Sequence, residues 1–385
     1  MLQAILFVVV FLLPRLAFAH HGGGTFDLSK TIELSGKLTR IDLINPHSWL
    51  YFEATGKDGK VSRYRCEMRS VHVLRRSGWM PDLFPIGQKI NVTASPDRVD
   101  PNSCYLQTIL FENGSRMDRY GQYLKAPEGG VKEVRGPLVA PNTNRTLRRP
   151  NGELNIAGDW AAEQTVMANP RGVGGGMVRL SQLSQVTPGE RGAPRGAGAA
   201  AGPRLYGGTA LTEQGEKDVA NFKREDNPRF RCETTSIIFD WPFDGAVNRI
   251  TQNKDAIVVQ YGQMGLKRTI YMNAKEHPKT IKPSRAGHSI GHWEGDTLVV
   301  DTAAFLPGVL TGSVRNSDKL HVVERFSLDP KTMKLTRSYA ADDPVYLKGQ
   351  YTGSDVVQPA DASYTEDHCK DQTTVDYSKV GQPKR

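Results

Sequence analysis

Residues 287–302 read GHSIGHWEGDTLVVDT, and the reading of this stretch decides the fold of the larger part of the chain. Gly287-His288-Ser289-Ile290-Gly291 matches the Gly-x-Ser-x-Gly pattern of hydrolases. That pattern lifts a serine above a parallel sheet and needs a strand before the serine and a helix after it. Here the serine is followed by His292-Trp293, a Glu294-Gly295-Asp296 turn and the β-branched run Thr297 to Thr302. Two strands joined by a tight turn account for that order, so Ser289 is read as a strand residue. Similar alternation recurs in TTSIIFDW (234–241), VNRITQNKDAIVVQYGQ (247–263), LKRTIYMN (266–273), KLHVVERFSLD (319–329) and MKLTRSYA (333–340). Turn signals roughly every ten residues predict antiparallel up-and-down strands closing into a barrel.

The opening strand of this region lies in LNIAGDWAAEQT (154–165), and LTEQGEKDVANFK (211–223) reads as a helix. Gly158-Asp159-Trp160 resembles the Gly-x-Trp signature of lipocalin-type barrels, in which the Trp plugs one end. A lipocalin-like barrel implies a small apolar or saccharide ligand in the lumen, with Trp241, Tyr261, Tyr271 and Trp293 as candidate lining. An enzyme working in that lumen would use His288, His292 and Glu324 as acid–base candidates. Four strand residues separate His288 from His292 by roughly 13 Å, too far to share one ion. Each is expected to find a partner such as Asp301, Glu324 or His321 on a neighbouring strand. Asp342 and Asp343, beside Pro344, read as turn residues.

The first third of the chain is also β. IELSGKLTRID (32–42), SWLYFEATG (48–56), VSRYRCEM (61–68), QKINVTAS (88–95) and YLQTILFE (105–112) alternate, and RSVHVLRRSGW (69–79) reads as a helix between the third and fourth. That order suits a small five-stranded barrel of the oligonucleotide/oligosaccharide-binding (OB) type, although the fold alone assigns no such ligand. The fold class is therefore all-β: an OB-like barrel followed by a larger antiparallel lipocalin-like barrel. The expected organisation is a signal peptide at 1–19, the small barrel at 20–113, a linker at 114–155 and the large barrel at 156–375. A Gly/Ala/Arg-rich insertion at 171–204, with 17 Gly, Ala or Pro in 34 residues, lacks the apolar content to order itself.

The net charge of +9 is concentrated in these irregular segments. Residues 125–150 and 171–204 carry eleven Lys and Arg against three Glu, while the rest of the chain is close to neutral. Loosely held basic loops favour contact with anionic surfaces. No nucleic-acid-binding motif accompanies them, so nucleic acid is not an expected partner.

The apolar run Ala4 to Leu13, then Pro14-Arg15 and Ala17-Phe18-Ala19, fits a secretory signal peptide cleaved after Ala19. A periplasmic or secreted location follows. In that setting four cysteines without a Cys-x-x-Cys pair are expected as disulfides. Pairing Cys66 with Cys104 and Cys232 with Cys369 keeps each bridge inside one domain.

Cleavage after Ala19 turns FAHHGGGTFD (18–27) into a chain beginning with His20. An α-amine and the Nδ1 of the same histidine chelate one cation jointly, and a second histidine makes a three-nitrogen site whose tetragonal geometry suits copper(II). Gly22, Gly23 and Gly24 leave the terminus little steric hindrance to folding back. His47, in NPHSWL (45–50), is the candidate third ligand, His21 is an alternative, and His72 on the expected helix is more distant. Cleavage after Phe18 would instead give Ala19-His20-His21, which chelates copper(II) or nickel(II) without His47.

His20, His21, Phe26, Asp27, Asn45, Pro46, His47, Gly78, Trp79 and Gly87 together resemble a family of exported bacterial proteins of unknown function, over residues 19–113. Cys66, Cys104 and the long extension depart from that pattern. GHSIGHWEGDTLVVDT and VVERF (322–326) look like a second uncharacterised exported family. Neither resemblance implies an activity. The expected function is metal binding, with copper as cofactor, and the alternatives are a small-molecule binder or an enzyme in the larger barrel.

Overall fold

A computed structural model describes residues 26–55, 59–77, 79, 84–120, 123–125, 146–167, 177–179 and 208–370. The signal segment, His20 and His21 lie outside the described residues, as does most of the basic sequence at 126–145 and 180–207.

Strands β1 (Ile32–Asp42), β2 (Trp49–Thr55), β3 (Val61–Glu67), β4 (Lys89–Pro96) and β5 (Ser103–Phe111) pair in the order β3-β2-β1-β4-β5. A parallel pairing of β3 with β5 closes them into a five-stranded barrel. Alternating residues fill its core, including Leu38, Leu50, Phe52, Ile90, Val92, Leu106 and Ile109. The Cys66–Cys104 disulfide crosses the closing pair, where the two cysteines are register partners. At Gly36 a side chain would stand 2.2 Å from the Glu53 carbonyl oxygen, so glycine is what lets β1 bend this closely over β2. Helix α1 (Val71–Arg76) joins β3 to β4 and buries Leu74. The sheet runs past Asn113, the expected domain boundary, because β6 (Arg116–Asp118) and β7 (Tyr123–Lys125) continue from β5.

The second barrel has nine strands. They are β8 (Gly158–Ala162), β11 (Val247–Gln252), β12 (Ala256–Gln260), β13 (Lys267–Tyr271), β14 (His288–Glu294), β15 (Thr297–Ala303), β18 (His321–Leu328), β19 (Leu335–Asp342) and β20 (Tyr351–Pro359), with β20 returning to β8. Two hairpins stand apart: β9 (Thr165–Met167) with β10 (Met177–Arg179), and β16 (Gly308–Thr311) with β17 (Val314–Asn316). The first of these places a strand inside the insertion expected to lack order. Helix α2 (Glu213–Asn221) is N-capped by Thr212, whose hydroxyl accepts from Gly215 N.

Two expectations need correction. The barrel is not wholly antiparallel, because β13 and β14 pair in parallel, joined by the long loop 272–287. Residues 234–241 form no strand. Ser236 Oγ accepts from Phe239 N and Asp240 Oδ2 accepts from Thr235 N, and these local bonds fold the segment into a buried turn.

Among the described residues, buried core side chains and a charged network occupy the interior of this barrel. Arg268, Glu324 and Arg337 are each 0–1% exposed. Arg337 donates to Glu324 Oε1 at 3.1 Å and to the Ile237 and Ile238 carbonyls at 2.8 Å, and it pairs with Asp355. Arg268 donates to Glu324 Oε2, to Ser289 Oγ at 2.8 Å and to Thr302 Oγ1 at 2.7 Å. Trp160 is fully buried, and its indole N–H donates to the Ile156 carbonyl at 2.8 Å.

Segment 360–370 ties the barrels together. Arg76 forks onto Asp361 at 2.7 and 3.2 Å and also donates to the Ala162 and Gly245 carbonyls. The Cys232–Cys369 disulfide anchors the end of the strap.

Candidate metal centre

The Asn45-Pro46-His47 bend links β1 to β2 and contains a cis Asn45–Pro46 peptide bond. Ser48 Oγ clamps it, accepting from Ile44 N and donating to the Ile44 carbonyl, both at 3.1 Å. Asn45 is buried and donates through Nδ2 to Asp367 Oδ1 at 2.7 Å, while its carbonyl accepts from Lys370 N at 3.2 Å. The second barrel therefore holds the first through the same bend that carries His47.

His47 Nδ1 lies 3.2 Å from Glu67 Oε1. Glu67, at the end of β3, is buried and paired with Arg119 at 3.3 Å, and Arg119 also donates to the Glu67 and Met68 carbonyls. The Arg119 guanidinium sits 3.7 Å over the Tyr105 ring, which lies 5.5 Å from the ring of Phe26. Phe26 is fixed by a bridge to Asp97, and Asp27 N donates to the Pro96 carbonyl at 2.8 Å. These contacts follow one another, so the Phe26 ring lies within roughly 17 Å of His47 Nδ1, and the six residues from His20 to Phe26 reach about 20 Å when extended.

His72 is buried on α1, with Nε2 2.7 Å from Asn45 Nδ2 and 3.9 Å from Asp367 Oδ2. Burial raises the Asp367 carboxyl, and hydrogen bonds from His72 and Asn45 more than offset this and hold it below its ordinary value. His72 thus serves the junction between the barrels.

In the larger barrel the candidate residues separate. Glu324 faces the interior between Arg268 and Arg337. His288 and His292 point outward instead of into a lumen, because Ser289 and Gly291 occupy the inward positions of β14. His292 is exposed and lies 3.1 Å from Glu294. His288 joins His277, Asp301 and His321 in a cluster on the outer wall. Burial, followed by the charge of His277, lowers the His288 imidazole below its ordinary value. Burial raises the Asp301 carboxyl, and hydrogen bonds from His277 and His321 outweigh it and lower the group overall.

Nor do the candidate aromatic residues line one cavity. Trp241 and Tyr261 are 1% exposed and meet edge to face at 5.9 Å within the core. Tyr271 is 46% exposed and stacks on His288 at 5.1 Å, while Trp293 packs against the core partly buried. Ser289 is fully buried as Arg268's partner and is followed by five more residues of the same strand and no helix, so it forms no nucleophile elbow. Sequence reading missed His277, which sits in the irregular loop 272–287 where no periodicity marks it, and Asp367, which follows Asn45 by 322 residues.

A comparison with curated proteins finds no match for the chain. Residues 9–104, which carry the Asn45-Pro46-His47 bend and the first barrel up to Cys104, match a family of unknown function, DUF6152.

Proposed function

We propose that this protein works in the periplasm or outside the cell and binds copper through a mature terminus beginning at His20, with His47 as the second histidine. The observation that carries the reading is the Glu67–His47 pair at 3.2 Å, at the barrel end where Phe26 anchors the incoming chain. A carboxylate at this distance from one imidazole nitrogen favours a proton there and leaves the other nitrogen for a cation, and such a partner is the usual companion of a metal-ligating histidine. Arg119 holds the carboxylate in turn, which keeps the Glu67 oxygen beside the His47 ring. The span from Phe26 to His47 is comparable with the extended length of the six residues ahead of Phe26. Both disulfides fit an oxidising compartment.

Copper(II) bound by one amine and two imidazoles would have nitrogen donors in a tetragonal arrangement. His20 would chelate through its amine and ring, His47 would complete the set, and Glu67 would hold the His47 ring. The alternative of a small-molecule carrier has less support, because Trp241 and Tyr261 are spent on the core. The test is metal content of the processed protein, purified without a tag at its front and with its first residue confirmed by mass spectrometry. Copper should be retained by the parent and lost from His47→Ala. Copper retained at full occupancy by His47→Ala would overturn the ligand set.

A further inference from the structure

The outer wall of the larger barrel carries four side chains that the proposed copper site does not use. His277 comes from the loop 272–287, His288 from β14, Asp301 from β15 and His321 from β18. His277 Nε2 and His321 Nε2 each lie 2.9 Å from the same oxygen, Asp301 Oδ1. His277 Nδ1 lies 2.8 Å from His288 Nδ1. Around the cluster the structural demands are already met: the barrel core is complete beneath it, and Tyr271 covers one face of His288. Two imidazoles on one carboxylate, with a third imidazole on one of them, stand outside that core.

We infer that His277, Asp301 and His321, with His288 adjoining, form a second cation site on the outside of the larger barrel, for copper(II) or nickel(II). Donor spacing is the first argument. Metal–nitrogen bonds of about 2.0–2.1 Å at right angles put neighbouring donors about 2.9 Å apart. Both His–Asp301 separations have that value as hydrogen bonds, so a cation can take the place of those bonds with little movement of the donors. Tetrahedral bonds of the same length would set the donors farther apart, so a tetragonal cation needs the smaller rearrangement of these side chains.

Donor chemistry is the second argument. Two imidazoles and a carboxylate suit these borderline cations. Access is the third, because the side chains of His277, Asp301 and His321 are 21%, 39% and 41% exposed and a hydrated ion can reach them from solvent. In the arrangement described, each Nε2–H is aimed at Asp301, and among the described residues no three donors converge on one point. Loading therefore means that each ring changes tautomer, giving up its Nε2 proton and taking one up at Nδ1 by exchange with solvent, with His288 Nδ1 turning from donor to acceptor against His277, while small rotations of the rings bring the Nε2 lone pairs onto the cation. His288, held by His277 Nδ1, fixes the His277 ring as a positioning residue.

This inference does not depend on the site proposed at the amino terminus, and one experiment separates them. Copper(II) is added to the full-length processed chain at pH 7.5, and bound ions per chain are counted after desalting, with nickel(II) as a parallel probe. The parent should hold one more ion per chain than His277→Ala/His321→Ala, and the same difference should persist when His47→Ala is placed in both. Asp301→Asn removes the anionic donor and should weaken the second site on the order of a hundredfold or more, beyond the loss expected of an outer partner. His292→Ala, on the same wall but outside the cluster, should leave it intact. Circular dichroism shows that each variant is folded, and these outward positions bear little of the core. An unchanged ion count in His277→Ala/His321→Ala, or a folded parent that takes up no ion at this wall, overturns the inference.

Discussion

Replacing Glu324 by Gln should cost the larger barrel a large part of its stability. Glu324 is 0% exposed and stands between Arg268 and Arg337, each no more than 1% exposed, with Asp355 as the other acid in the network among the described residues. In the native interior two guanidinium groups are balanced by two carboxylates. The substitution preserves shape but leaves two buried positive charges with one negative. Breaking a buried pair from one side typically costs about 3–5 kcal/mol, because the remaining ion can neither pair nor return to water. Set against a net stability on the order of 5–15 kcal/mol, this loss is severe.

The assay is urea unfolding at pH 7.5, with hydrogen–deuterium exchange of peptides from β15, β18 and β19 to localise the change. The double variant Arg268→Met/Glu324→Met should recover much of the loss, since apolar replacements of a buried ion pair are often close to neutral. A Glu324→Gln protein within about 1 kcal/mol of the parent would refute the view that this network is a charge-balanced core.

Further outcomes follow from other contacts. Asp240 is fully buried, and burial, partly offset by hydrogen bonding from Thr234 and by the charge of Arg229, raises its carboxyl to about 6. The folded chain therefore holds this proton more tightly than the unfolded chain, so the contribution is present below the ordinary carboxylate range and is lost as pH rises through 6. Asp240→Asn should flatten the fall in stability between pH 4 and pH 6 seen by thermal unfolding, and an unchanged profile would contradict the assignment. At the barrel junction, Arg76→Ala and Asp361→Asn should be strongly non-additive in a double-mutant cycle, with a coupling of about 1–3 kcal/mol. Cys232→Ser with Cys369→Ser should free the 360–370 strap and expose the Asn45 bend to proteolysis while leaving the first barrel folded. Cleavage no faster than in the parent would contradict the strap's role.

Strands that alternate apolar and polar residues over a core, such as 32–42 and 49–55, were legible because their period matches the pleat. Both cysteine pairings were legible too, since each bridge stays within one region of chain. Strand 351–359 was not anticipated. Its inward positions include Gly353, packed under Tyr339, and Asp355, paired with Arg337, while Val356 faces out, so its polarity hides its burial. The opposite error arose at 234–241, where an apolar run resembles a strand but local Ser236 and Asp240 hydrogen bonds fold it into a turn. His47 could be singled out from its place beside Pro46, whereas its partner Glu67 could not, because only the β2–β3 pairing brings them together. Three of the four outer-wall residues, His288, Asp301 and His321, were legible on strands, though as partners in a lumen, and His277 was concealed in a loop.

The most direct test of the copper reading is electron paramagnetic resonance of the processed protein labelled with 15N-histidine. One equivalent of copper(II) is bound in a His277→Ala/His321→Ala background so that only the amino-terminal site reports. The account predicts a tetragonal signal with three nitrogen couplings. One should be lost in His47→Ala, and the pattern should change when a single serine is placed ahead of His20. A signal identical in all three proteins, or no copper held by the correctly processed chain, would contradict it.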